Sequence, residues 1–171
     1  MSKIQSLQYI GRNGTRCAVG GRNDDPYLGN PKSDRALQLM QEGPIGIGWL
    51  FGGGVVERRF DNRVQAALDP SETLVAVIGH WGAAIDGQSG PNNGVVLNAD
   101  GSVRHRIAAP AAIKDAQCAA APLVEGLSVI KRIAEGLEIW ISFDEGEWHE
   151  KRLYDPLTGN WGRVTGQYRA V

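Results

Sequence analysis

The run 137–143, Leu-Glu-Ile-Trp-Ile-Ser-Phe, constrains this chain more than any other stretch. Leu137, Ile139, Ile141 and Phe143 alternate with Glu138, Trp140 and Ser142, the period of two that belongs to a strand with one buried face. Asp144-Glu145-Gly146 reads as a turn, since such residues accept the local backbone bends that β-branched and aromatic residues resist. Residues 148–155 then form a return strand, Asp155-Pro156-Leu157-Thr158-Gly159 a second turn, and 161–169 a third strand. An antiparallel meander of this kind must bury its apolar face against another layer, which places the chain among β-rich architectures.

The upstream residues repeat the theme. Segments 4–12 and 15–22 flank Asn13-Gly14, a tight-hairpin signal in which both turn residues are expected at positive φ. A loop over 23–31 leads to a short helix, 34–41, capped by Ser33 and ended by Gly43, with Leu37 and Met40 expected as its core-facing stripe. The apolar, glycine-spaced run 45–51 leads into Gly52-Gly53-Gly54, short strands are expected at 55–60 and 64–68, and the compact apolar run 72–80 reads as a buried strand. Segment 82–94, with four glycines and Pro91, is expected to be a long mobile loop. Asp100-Gly101 marks a second hairpin between 95–99 and 102–107. Pro110 opens an expected helix over 111–119, and 127–133 is a further strand. Glycine makes up 23 of 171 residues and clusters between these runs, so it serves as strand punctuation. With no βαβ alternation, the expected class is α+β, predominantly antiparallel β (meander and hairpins) with one or two short helices, in a single domain spanning 1–171.

Charge is nearly balanced, with a formal net charge of −1, which argues against a general attraction to nucleic acid or to a membrane surface. Its distribution is uneven. Residues 135–155 hold seven acids against two bases, whereas residues 1–60 hold eight bases against five acids. The acid-rich run is either a solvated face or a surface suited to a basic partner. Cys17 and Cys118 have no metal-type spacing, the N-terminus lacks an apolar leader, and no apolar run approaches the ~18 residues that span a bilayer. A cytoplasmic location is therefore expected.

Motifs for chemistry fail on inspection. Gly46-Ile47-Gly48-Trp49-Leu50-Phe51 has Phe where the third glycine of a dinucleotide fingerprint must stand. Gly52-Gly53-Gly54 lacks the Gly-Lys-Ser/Thr of a phosphate loop and reads as a flexible strand end. Gly87-Gln88-Ser89-Gly90-Pro91 misses the nucleophile elbow by one place. His80, His105 and His149 follow no metal-ligand spacing. No catalytic residue, metal ligand or cofactor is assigned. Trp140 lies opposite the apolar face of its strand, so it is either a second-layer residue or an exposed aromatic of an interface.

Tyr154-Asp155-Pro156-Leu157-Thr158-Gly159-Asn160-Trp161, together with Leu50-Phe51-Gly52-Gly53, resembles the blade residues of kelch-type propellers, which implies a four-stranded blade and a binding scaffold. The two stretches lie about a hundred residues apart, against about fifty for one blade. A small β-rich, cysteine-poor chain with an acidic aromatic hairpin also resembles the immunity proteins of bacterial polymorphic-toxin systems, including contact-dependent inhibition and type VI secretion. That resemblance implies tight binding of a cognate toxin domain, often through acidic surfaces matched to basic nuclease clefts. The expected function is a cytosolic inhibitor whose contact residues are Trp140, Asp144, Glu145, Glu147, Trp148, His149 and Glu150, with His149 as a pH-sensitive member and a basic protein as partner. The alternatives are a small hydrolase with a histidine–carboxylate site, or a propeller-like structural or oligomeric module.

Overall fold

The computed structural model describes residues 2–20, 25–27, 33–110, 124–143 and 148–169. The strands are β1 (Gln5–Ile10), β2 (Arg16–Ala18), β3 (Gly46–Phe51), β4 (Gly54–Arg59), β5 (Val64–Leu68), β6 (Leu74–Gly79), β7 (Gly94–Asn98), β8 (Val103–Ile107), β9 (Val124–Ile133), β10 (Gly136–Phe143), β11 (Trp148–Asp155) and β12 (Asn160–Arg169). Among the described residues one α-helix, α1 (Asp34–Glu42), separates β2 from β3. The strands form three four-stranded antiparallel sheets, ordered β2-β1-β3-β4, β5-β6-β7-β8 and β12-β11-β10-β9. The predominantly antiparallel β class is as expected. The helix expected at 111–119 lies outside the described residues.

The second sheet is covered on both faces. Val75, Val77, Val95 and Leu97 share a core with Tyr9, Ile47 and Trp49 of the first sheet, while the alternate residues Leu74, Ala76, Ile78 and Val96 share one with Leu127, Ile139 and Phe143 of the third. Run 72–80 is apolar without alternation because neither face of β6 meets water. Each large aliphatic side chain buried there contributes about 1.5–3 kcal/mol.

The turns follow their residues, with refinements. Asn13-Gly14 and Asp100-Gly101 close three-residue loops, with bonds Gly11 N to Thr15 O (2.8 Å) and Gly101 N to Asn98 O (2.9 Å). In each loop only the glycine is at positive φ, so these are not the expected two-residue turns. That geometry occurs instead between β3 and β4, where Phe51 pairs with Gly54 and both Gly52 and Gly53 have positive φ. The presumed flexible strand end is thus a tight turn. It lies in the first sheet and the Tyr154–Trp161 hairpin in the third, so the two propeller-like stretches do not share a blade.

Helix α1 starts where Ser33 accepts the Ala36 N–H and ends at Gly43 (φ 74). Its buried residues are Ala36 and Leu39. Leu37 and Met40, expected in the core, are 37% and 43% exposed. A nine-residue helix laid against β2 needs only a narrow stripe, and Ala36 permits the close approach that a larger residue would prevent.

Candidate binding cleft

Sheets one and three overhang the free edge of β5 and enclose a cleft of about 770 Å³. Leu7, Tyr9 and Val19 form one wall, Gln65, Ala66 and Leu68 the floor, and Ile130, Lys131 and Trp140 the other wall. The floor is a strand edge whose backbone groups are occupied at Val64 and Ala66. The Tyr9 hydroxyl accepts the Ala66 N–H (2.9 Å) and donates to the Ala66 carbonyl (3.1 Å), and the Tyr27 hydroxyl donates to the Val64 carbonyl (2.9 Å). Burial holds both phenols well above their ordinary pKa, so they remain donors. Strand addition at these positions is blocked, and the cleft presents side chains to whatever enters.

Backbone strain concentrates here. Among the described residues four non-glycines have positive φ, and three of them, Ser6 (54°), Glu72 (61°) and Trp81 (50°), line the cleft. The left-handed region costs an L-residue about 1–2 kcal/mol, and such strain gathers at functional sites. Trp81 sits in a 3₁₀ turn, His80–Gly82, and is 56% exposed. The turn is held from behind. A Cβ at Gly79 would meet the Ala83 carbonyl oxygen at 1.7 Å, and the buried Asn93 amide donates to Gly79 O and Ala83 O, both at 3.2 Å.

From Trp81 the aromatic rings run in both directions. His80, Tyr27 and Tyr9 follow into the cleft at centroid spacings of 5.8, 4.9 and 5.4 Å. His149 lies 5.5 Å away on the outer face of the third sheet, stacked on Tyr168 at 4.7 Å. Trp140 stands beside them, 5.1 Å from Tyr168, with Lys131 and Lys151 ammonium groups 4.7 and 4.3 Å from its ring. The Trp140 indole N–H donates to Glu138 (3.0 Å), whose other oxygen accepts from Thr165 (2.7 Å).

The histidines do not form a catalytic constellation. His80 Nδ1 pairs with the Gln65 amide, His105 Nε2 with the Tyr154 hydroxyl, and both ring nitrogens of His149 are buried without a hydrogen bond. Asp86, near His80 in sequence, pairs with Arg58. Among the described residues no His, Cys, Asp and Glu cluster is suited to a metal.

Burial, aided by Arg63, pulls the His80 imidazole down from 6.5 to about 4. The unfolded chain therefore takes up this proton near 6.5, while the folded chain resists it until about 4. The His80 contribution is expected to lower the unfolding free energy as pH drops through that window and to add nothing further below it, and His80→Gln should flatten the slope within the window. Urea unfolding across that pH range tests this. An unchanged slope in the variant would remove His80 from the account.

The residues expected to form a contact surface are divided by the sheet. Trp140 and His149 share the outer face, although His149 is covered by Trp81 and Tyr168. Trp148 and Glu150 pair with Phe143 and Ile141, which puts them on the inner face. Glu150 is 0% exposed, its carboxylate held by Arg152 and Gln167, so it is not a surface contact. Asp144, Glu145 and Glu147 lie outside the described residues. Within the acid-rich run, Glu135 pairs with Arg163 and Asp155 caps its own turn, leaving no free acidic face among the described residues. Around Trp140 the uncommitted charges are cations. Trp81 was missed by sequence reasoning. Its only local signal is a tryptophan next to Gly82 at the end of a buried strand.

No family model matches the chain, and no curated protein matches it. Among solved structures it is similar to a chain in the structure of Tne2 in complex with Tni2, with a TM-score of 0.59 and 12% identity over 95% of this chain and 97% of that one. At that identity the likeness is one of fold. No helix among the described residues is long and apolar enough to cross a membrane.

Proposed function

We propose that this protein is a binding protein of the immunity type, which neutralises a cognate toxin domain by docking it at the cleft and the adjoining outer face of the third sheet. The observation that carries this reading is Trp81, a large aromatic held at left-handed backbone angles and 56% exposed at the cleft rim. Tryptophan is the residue most enriched among interface anchors, and a rigid strained turn spends little entropy on binding. Trp140 with its two lysines extends the surface. The fold likeness to a chain solved within a two-protein complex agrees with a binding role. Asp144, Glu145 and Glu147, which lie between β10 and β11 in the sequence, are proposed as a second contact.

Capture of the tagged protein from its native cells, followed by native mass of the eluate, tests the reading. A stoichiometric second protein is expected, released by salt, whose toxicity on expression is suppressed by co-expression of this chain. A lone monomer, or a partner whose activity is the same with and without this chain, would end the inhibitor reading.

A further inference from the structure

We infer that the cleft and the adjoining outer face of the third sheet receive an extended, carboxylate-bearing segment of the partner protein, anchored by Trp81 and Trp140 and met by Lys131 and Arg132 of the cleft wall and by Lys151 beside Trp140. This rests on the inhibitor reading and gives the contact its chemistry, opposite in sign to the basic partner that the acid-rich run 135–155 suggests.

The argument is one of charge already spent and charge left over. The acids of the cleft, Asp25 and Glu72, and Glu138 of the adjoining outer face are engaged within the chain. Asp25 accepts the backbone N–H groups of Gly20 (2.6 Å) and Tyr27 (2.7 Å), Glu72 pairs with Lys3 (2.9 Å), and Glu138 holds Trp140 and Thr165. The cations have contacts but no ion pair at bonding distance. Among the described residues no carboxylate lies within ion-pair distance of Lys131, Lys151 or Arg132. Arg132 has one long bond, 3.5 Å, to the Pro70 carbonyl. Two ammonium groups against one indole repel each other, and an incoming carboxylate relieves that repulsion while the ring keeps the lysine stems in place.

The cleft's shape selects a chain segment. Its volume is that of a pocket filled by a few side chains, and its walls are mostly apolar. With the Ala66 amide and carbonyl and the Val64 carbonyl already taken by Tyr9 and Tyr27, an entering segment is held there by its side chains, apolar ones against the walls and acidic ones toward the lysines. A nucleic-acid strand needs cations tracking its backbone, and here they lie on one wall only.

The test uses two short fluorescein-labelled peptides of the same leucine-rich pattern, one with Asp and one with Lys at the charged positions, and a labelled single-stranded oligonucleotide. Binding is followed by polarisation and by tryptophan fluorescence. The Asp peptide is expected to bind at least about tenfold tighter than the Lys peptide, with affinity falling as salt is raised. Lys131→Glu/Lys151→Glu should reverse the preference, and Trp81→Ala should weaken the Asp peptide about tenfold. Lys131→Gln/Lys151→Gln, with near-UV circular dichroism, guards against misfolding of the charge reversal and should abolish the preference. Equal binding of the Lys peptide, binding of neither peptide, tighter binding of the oligonucleotide, or a preference that survives the reversal would each overturn the inference. The same variants used in the cell capture separate the two readings. A partner retained undiminished by the reversal variant removes the cleft chemistry but leaves the inhibitor. Asp-peptide binding with no captured partner does the opposite.

Discussion

Asn93→Ala is expected to lower the unfolding free energy by about 2–4 kcal/mol, the scale of two or three buried polar groups losing their partners. Asn93 is 0% exposed and joins three elements. Its amide donates to Gly79 O at the end of β6, to Ala83 O beyond the Trp81 turn and to Leu127 O of β9 (2.9 Å), and its carbonyl accepts the Leu127 N–H (2.8 Å). Alanine would leave the Leu127 N–H and C=O inside a packed interface without the side-chain partners that satisfy them. The surroundings are backbone against backbone and cannot close the gap cheaply. A Cβ at Gly90 would already meet the Glu125 carbonyl oxygen at 1.6 Å, and one at Gly79 the Ala83 oxygen at 1.7 Å. Urea unfolding should show a lower midpoint with an unchanged slope. Because the same amide braces the Trp81 turn, the variant should also bind the acidic peptide more weakly at temperatures where it remains folded. A loss below about 0.5 kcal/mol, the range of an ordinary surface substitution, would show that the clamp is dispensable.

Glu150→Ala should cost a few kcal/mol, because it removes the carboxylate from a buried ion pair with Arg152. Its oxygens take hydrogen bonds from Arg152 and from Gln167 (3.1 Å) on the inner face of the third sheet, where Arg152 is only 8% exposed. Glu150→Gln keeps the shape and loses the charge, so a smaller loss is expected. The pair also separates two roles for this residue. A surface contact would lower partner affinity and leave the melting temperature alone, whereas a buried counter-ion lowers the melting temperature first. Thermal and urea unfolding of both variants, measured beside partner affinity, decides between them.

The location of Glu150 was nearly legible in the sequence. With β10 ending at Phe143 and β11 beginning at Trp148, those two residues pair, and antiparallel register then sets Glu150 opposite Ile141. Residues directly opposite share a face, so a partner of Ile141 is buried. Counting acids along the run hides this, since composition ignores the alternation that sends Glu138 outward and Glu150 inward.

The alternation of 137–143, the turn residues at Asp155–Gly159, the helix start at Ser33 and the twofold-buried run at β6 were all determined by the sequence alone. Each is a local matter, settled by side-chain period or by a backbone preference within a few residues. The buried stripe of α1 was not, because Leu37 and Met40 are as apolar as Leu39, and only the contact with β2 selects among them. Nor was the cleft. Ser6, Tyr27, Glu72, Trp81, Lys131 and Trp140 come from both outer sheets and from the turns between strands, and no period links them. They meet because the first and third sheets pack on opposite faces of the second and project past its β5 edge. Which face of the third sheet stays open, and which charges around it remain unspent, is fixed by that packing. The free energy deciding it comes from apolar surface buried between segments far apart in the chain, a quantity that no local stretch carries.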